Sequence, residues 1–106
     1  MDAQTVYDDI AADLEARHPE VKAGKMFGMP TLMAGGKAIA GLRGDDMVFK
    51  LPDEQARTKA LALDGAHLFE PMAGRQMKEW VVVPNALSNE WFSLAEAALR
   101  YAGAGG

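Results

Sequence analysis

Among residues that commonly do nucleophilic or metal chemistry, the sequence offers two serines, two histidines and no cysteine. The absence of cysteine removes disulfides, thiolate catalysis and sulfur-ligated zinc, and it fits a reducing cytoplasm. Ser88 and Ser93 stand in or beside a helical stretch, without the G-x-S-x-G elbow that lifts a nucleophile out of a sheet. Helix capping accounts for Ser88. His18 precedes Pro19 at the end of a helical pattern and reads as an exposed C-terminal residue. His67 has Glu70 three residues on; in an extended segment that spacing puts them on opposite faces, which argues against a His/Glu couple or a metal pair. "AGGK" (34–37) lacks the length and the Ser/Thr of a phosphate loop, so it reads as a hairpin tip, and Asp45-Asp46 of "RGDD" reads as a turn. The expectation is no catalytic residue, no metal ligand and no cofactor.

One charged cluster remains, in "GRQMKEW" (74–80). Strand alternation sets Met77, Glu79, Val81 and Val83 on one face and Gln76, Lys78, Trp80 and Val82 on the other, so an acid falls in the apolar row. Glu79 then needs a bulge that turns it outward or a cation, Lys50 or Arg75, that pairs with it at the rim of the core. The alternative is a small anionic or polar ligand held near Arg75 and Lys78, with Lys25 and Lys50 contributing charge. The candidate ligand or partner contacts are therefore Lys25, Lys50, Arg75, Lys78, Glu79 and Trp80. Six methionines, at 26, 29, 33, 47, 72 and 77, pose a similar choice between filling an irregular core and lining an adaptable surface; core filling is expected.

The elements that must position these groups follow from periodicity. Val6, Ile10 and Leu14, with Tyr7 and Ala11 beside them, mark an amphipathic helix from about Ala3 to Arg17. From Lys25 to Leu51 the pattern shortens into runs punctuated by Gly and Asp, predicting three antiparallel strands. In the third, Met47, Phe49 and Leu51 face the core. Within "KMFGMP" (25–30), Pro30 cannot donate to a ladder, so a first strand from Met26 to Met33 is expected at an edge or bulge, with Gly28 at the bend. The alternative is a glycine that lets a ligand or partner backbone come close. Asp53 is the expected N-cap of a second helix that ends near Gly65. A short extended piece near His67 to Glu70 and a stronger strand from Arg75 to Val83 precede a third helix, about Leu87 to Tyr101.

The 106 residues make one domain, with an ordered core of about 3–101. The net charge of −4 is uneven: residues 1 to 20 sum to −5, residues 21 to 50 to +3 and residues 51 to 106 to −2. An acidic start excludes a signal or transit peptide, and no apolar run approaches the roughly 20 residues that span a bilayer. Lys22, Lys25, Lys37, Arg43 and Lys50 are too scattered, and too offset by Asp45 and Asp46, for the clustered cations that phosphate backbones demand. Direct nucleic-acid binding is not expected.

The ordered set "KMFGMP", "GGKAIAGL", "MVFKLPDEQAR", "LFEP", "GRQMKEWVVVP" and the following "W..LAEAAL" resembles the N-terminal domain of the TfoX/Sxy competence-regulator family, a relative of the YjbR-like group, over about Lys25 to Tyr101. The element order read above, α-β-β-β-α-β-β-α, predicts an antiparallel sheet with helices packed on it, and the resemblance implies an α+β two-layer sandwich of that order, similar to type III secretion chaperones. Namesake members carry a further C-terminal helical domain of the helix-hairpin-helix kind, which the residues up to Gly106 do not include. The fold is therefore carried over, and no catalytic residue or DNA-linked role.

The function expected is a non-enzymatic interaction or regulatory module, cytoplasmic, that pairs with a protein partner or with itself through a sheet face or edge. A homodimer is expected because two helices on one face would leave Trp80, Val82 and Val48 uncovered on the other. The alternative is a small-molecule or nucleotide-binding protein using the basic patch near Arg75 and Lys78.

Overall fold

The computed structural model describes residues 2–26, 28–72 and 74–102, with the main chain alone at Met72 and Arg75. Helix α1 (Ala3–Arg17) starts where the Asp2 carboxylate accepts the Thr5 amide at 2.8 Å, and ends at His18, whose N–H still reaches the Leu14 carbonyl. Its buried residues, Ala3, Tyr7, Ile10, Ala11 and Leu14, form the stripe that the spacing predicts.

Four strands follow rather than three: β1 (Val21–Met26), β2 (Met29–Ala34), β3 (Lys37–Arg43) and β4 (Asp46–Lys50). "KMFGMP" is thus the corner of a hairpin, with Met26 paired to Met29 and Gly28 at φ 74° in the connection. Pro30 pairs with Lys25 on the β1 side, while its carbonyl lies 3.0 Å from where a Cβ on Gly41 would sit, on the β3 side. The last β2–β3 pair is Thr31 with Gly41, so Pro30 stands just past that ladder and its missing N–H costs no bond there. Of the two expectations for this strand, the edge belongs instead to β1, one element earlier, while an irregularity is found in β2 itself, between Leu32 and Met33.

Helix α2 (Glu54–Leu61) begins at Asp53, which accepts the Ala56 amide at 2.9 Å as the sequence predicts. The Arg57 guanidinium donates to the carbonyls of Leu51 and Pro52 and ties the helix to the end of β4. Strands β5 (His67–Met72) and β6 (Arg75–Val83) form the second hairpin. After Pro84 the chain makes a 3-10 segment, Asn85–Glu90, and only then α3 (Trp91–Ala102). The α-helix starts later than expected because Leu87, at φ −110° and ψ 29°, breaks the helical run.

The six strands form one antiparallel sheet in the order β1-β2-β3-β4-β6-β5, with helices on one face, so the fold is an α+β two-layer sandwich. Between sheet and helices lie Leu14, Leu32, Met47, Phe49, Val81, Val83 and Trp91, all fully buried. The Trp91 indole N–H donates to the Val83 carbonyl at 3.2 Å, which satisfies the polar end of a large apolar side chain.

Among the described residues the opposite face has no helix, yet Val48 is 0 % exposed, Val82 6 % and Trp80 8 %. The premise that these three are left uncovered does not hold. They are covered from within the sheet by Phe69, Met29 and the half-buried Met26, Met33 and Met77. Register shifts at Leu32/Met33, Leu68/Phe69 and Phe69/Met72 increase the twist and roll this face into a concavity. The Arg43 guanidinium carbon lies 5.3 Å from the centre of the Phe69 ring, although β4 and β6 lie between their strands. Gly41 is required here: a Cβ would stand 2.8 Å from the Met29 methyl carbon, which lies over it.

Both sheet edges are blunted. On β1 the Val21 N–H donates to the His18 carbonyl, and the Ala23 N–H to the Glu15 carboxylate at 3.2 Å. On β5 two register shifts and Pro71 interrupt the run of main-chain groups. Among the described residues no helix is long and apolar enough to cross a membrane.

Candidate binding cleft on the helix-free face

Strand order decides which of the expected contacts meet. Lys25 is exposed on β1 and Lys78 is exposed on β6, four strand intervals away, or roughly 19 Å along the sheet. The structure does not gather them into one basic patch. Lys50, half-buried at the end of β4, pairs with Trp80 in register and borders a narrow crevice beside Pro52 and Ala98. Arg75 belongs to β6, and its side chain lies outside the described residues.

Glu79 corrects the alternation argument. Leu68 pairs with Val81, but the next residue, Phe69, pairs with Met77, so residues 78–80 of β6 form an excursion with no partners on β5. The slip puts Met77 with Trp80 on the helix-free face and leaves the Glu79 side chain exposed. Its main chain stays engaged, the carbonyl accepting the Leu51 N–H at 2.7 Å. Among the described residues, the ion pairs do not include Glu79 with Lys50. The Glu79 side chain turns outward as the bulge alternative has it, and a pairing with Arg75 lies outside the described residues. Trp80, by contrast, is an internal packing residue rather than an exposed contact.

What the fold does assemble is a cleft of about 580 Å³ at the β5 side of the concave face. Its floor is apolar, from Phe69 and Val82, and its polar rim comes from Arg43, Asp46, His67, Glu70 and Gln76. Four strands contribute. Arg43 and Asp46 close the β3–β4 hairpin as a register pair, while His67, Phe69 and Glu70 come from β5 and Gln76 and Val82 from β6. His67 and Glu70, expected on opposite faces, border the same cleft because alternation along β5 holds from His67 to Phe69 and is then broken by the register shift between Phe69 and Met72.

The rim groups are oriented by the main chain. One Asp46 oxygen accepts the Asn85 N–H at 3.1 Å, and one Glu70 oxygen accepts the Gly74 N–H at 2.8 Å. His67 Nδ1 lies 3.1 Å from the Gly65 carbonyl oxygen; since a carbonyl only accepts, Nδ1 carries the hydrogen, and among the described residues Nε2 makes no hydrogen bond. The Arg43 guanidinium carbon lies 5.3 Å from the Phe69 ring centre, a cation–π contact, and among the described residues its N–H groups make no hydrogen bond, so its fork is available. Among the described residues, no group of three His, Asp or Glu side chains is placed to hold a metal.

Sequence reasoning missed Arg43, Asp46, Glu70 and Gln76 as a set. Each looks like turn or hairpin chemistry by itself, and only the β4–β6 pairing, between segments some 30 residues apart, brings them together. Comparison with protein-family models, curated proteins and solved structures returns no match for this chain.

Proposed function

We propose that this chain is a non-enzymatic interaction or regulatory module of the TfoX N-terminal type, acting in the cytoplasm, and that it engages its partner through the helix-free face. The observation that carries this reading is the concave cleft itself. A polar rim of mixed charge surrounds an apolar floor of Phe69 and Val82, and the half-buried Met26, Met33 and Met77 border the same apolar cluster. Such a surface offers directional contacts beside an adaptable apolar one, the composition that recognition sites share. The blunted edges favour this face over strand addition. The partner is another protein or a second copy.

The test uses the immobilised chain to capture proteins from its native host, followed by mass spectrometry and by light scattering of the chain alone. A partner, or self-association, retained by wild type and by the α2 surface variant Lys59→Glu but lost with Arg43→Glu is the expected result. Identical capture by all three would overturn the assignment of this face. The small-ligand alternative moves from Lys78 to the same cleft, where Arg43 has its N–H fork available.

A further inference from the structure

Opposite charges border the cleft without touching one another. Arg43, Asp46 and Glu70 all line it, yet among the described residues the ion pairs within 4.0 Å involve none of them. A guanidinium and two carboxylates around one apolar floor ordinarily collapse into contact unless something else holds them. Here the main chain does: Asn85 fixes Asp46, Gly74 fixes Glu70, and the Phe69 ring fixes Arg43. Each acid keeps one oxygen for a donor, and Arg43 keeps its bidentate edge for an acceptor.

The rim carries one negative charge in excess when His67 is neutral, from Arg43 against Asp46 and Glu70. A phosphate or another multiply charged anion would satisfy Arg43 while facing two carboxylates, and a simple amine would leave Arg43 unmet. A molecule with both an ammonium and a carboxylate answers both walls at once, with its side chain over Phe69 and Val82. The volume, about 580 Å³, is within the range of small-ligand sites, roughly 300 to 1,000 Å³.

We infer that this cleft binds a small zwitterion of the α-amino-acid class with an apolar side chain, its carboxylate on Arg43 and its ammonium on Glu70, the residue next to Phe69. The inference rests on the helix-free face being the contact surface, and it makes the module one whose partner contact responds to a metabolite.

The experiment is an NMR titration of the full chain, reading the backbone amides of Arg43, His67 and Gln76. The probes are L-leucine, L-phenylalanine, 3-methylbutylamine (leucine without its carboxylate), 4-methylpentanoate (leucine without its amine) and inorganic phosphate. Saturable shifts with leucine or phenylalanine are expected, with each leucine analogue binding at least about tenfold more weakly than leucine, a difference of about 1.4 kcal/mol. In Arg43→Gln the preference for leucine over the amine should vanish, and in Glu70→Gln its preference over the acid should fall. Both side chains are exposed, so the variants should fold, and their spectra away from the cleft check this. Equal binding of the analogues, tighter binding of phosphate, or no shift with either amino acid at tens of millimolar would overturn the inference. If that happens while Arg43→Glu still loses the captured partner, the zwitterion falls and the interaction surface stands. If amino acids bind but capture ignores Arg43→Glu, the partner reading falls instead.

Discussion

Tyr7 offers a sharp test of the packing beneath α1. Its side chain is 3 % exposed, and its hydroxyl has no hydrogen-bond partner among the described residues. A buried hydroxyl without a partner carries a desolvation cost of about 1 to 3 kcal/mol, so Tyr7→Phe should leave stability at neutral pH unchanged or raise it by up to about 1.5 kcal/mol. That is unusual for a change in a core residue. Burial first, and then the negative charges of Asp8 and Glu15, push the phenol up from 10.0 to about 12. The linkage has a definite sign. Below pH 10 the phenol is protonated in both states and its contribution is fully present. Between pH 10 and 12 the unfolded chain gives up the proton while the folded chain keeps it, so stability falls as pH rises. The loss reaches about 1.4 kcal/mol by pH 11 and is complete, at about 2 to 3 kcal/mol, above the folded value. Urea unfolding followed by circular dichroism at intervals from pH 8 to 11 reads it, and the difference between wild type and Tyr7→Phe removes the titration of every other group. The wild-type chain should weaken relative to the variant by about 1.4 kcal/mol across that range. Parallel curves, or a variant more than about 1 kcal/mol weaker than wild type at pH 8, would refute the account of a buried, unpartnered hydroxyl.

Trp91→Ala removes a fully buried indole and its bond to Val83, and should cost about 3 to 5 kcal/mol in urea unfolding; a loss under about 0.5 kcal/mol would place Trp91 outside the core. Gly41→Ala drives a Cβ against the Met29 methyl and the Pro30 carbonyl, one of them main chain, so a loss of about 1 to 3 kcal/mol is expected, and a neutral outcome would mean that the β2–β3 contact is looser than described. Glu79→Gln, at an exposed position, should change stability by less than about 0.5 kcal/mol, and a larger loss would restore the buried pair that alternation predicts.

How far the sequence could be read depended on the range of the information. The α1 stripe, the Asp53 cap, the alternation of Met47 and Phe49, and the glycine turns are local, and each is found in place. Strand β1 was invisible because four of its six residues, Lys22 to Lys25, are exposed; an edge strand of that kind presents no apolar period. The face of Glu79, open in the sequence between a bulge and a pair, and the juxtaposition of His67 with Glu70 were both hidden by breaks in one ladder. Alternation assumes an unbroken ladder, and the β5–β6 register slips twice, between Leu68 and Phe69 opposite Glu79 and between Phe69 and Met72 at Glu70. The cleft was out of reach because Arg43 meets Phe69 across two intervening strands, a contact set by sheet curvature.

The two tryptophans sit on opposite sides of the sheet, Trp91 under the helices and Trp80 in the helix-free concavity. Each layer therefore carries its own fluorophore. Replacing one indole by phenylalanine leaves an emission spectrum that reports on the other layer alone. Loosening of the concave side by mild denaturant would redden Trp80 while Trp91 stayed blue. A chain that melts as one unit would move both together. The sheet thus separates two optical signals, and the cooperativity between its two sides can be read without adding a label.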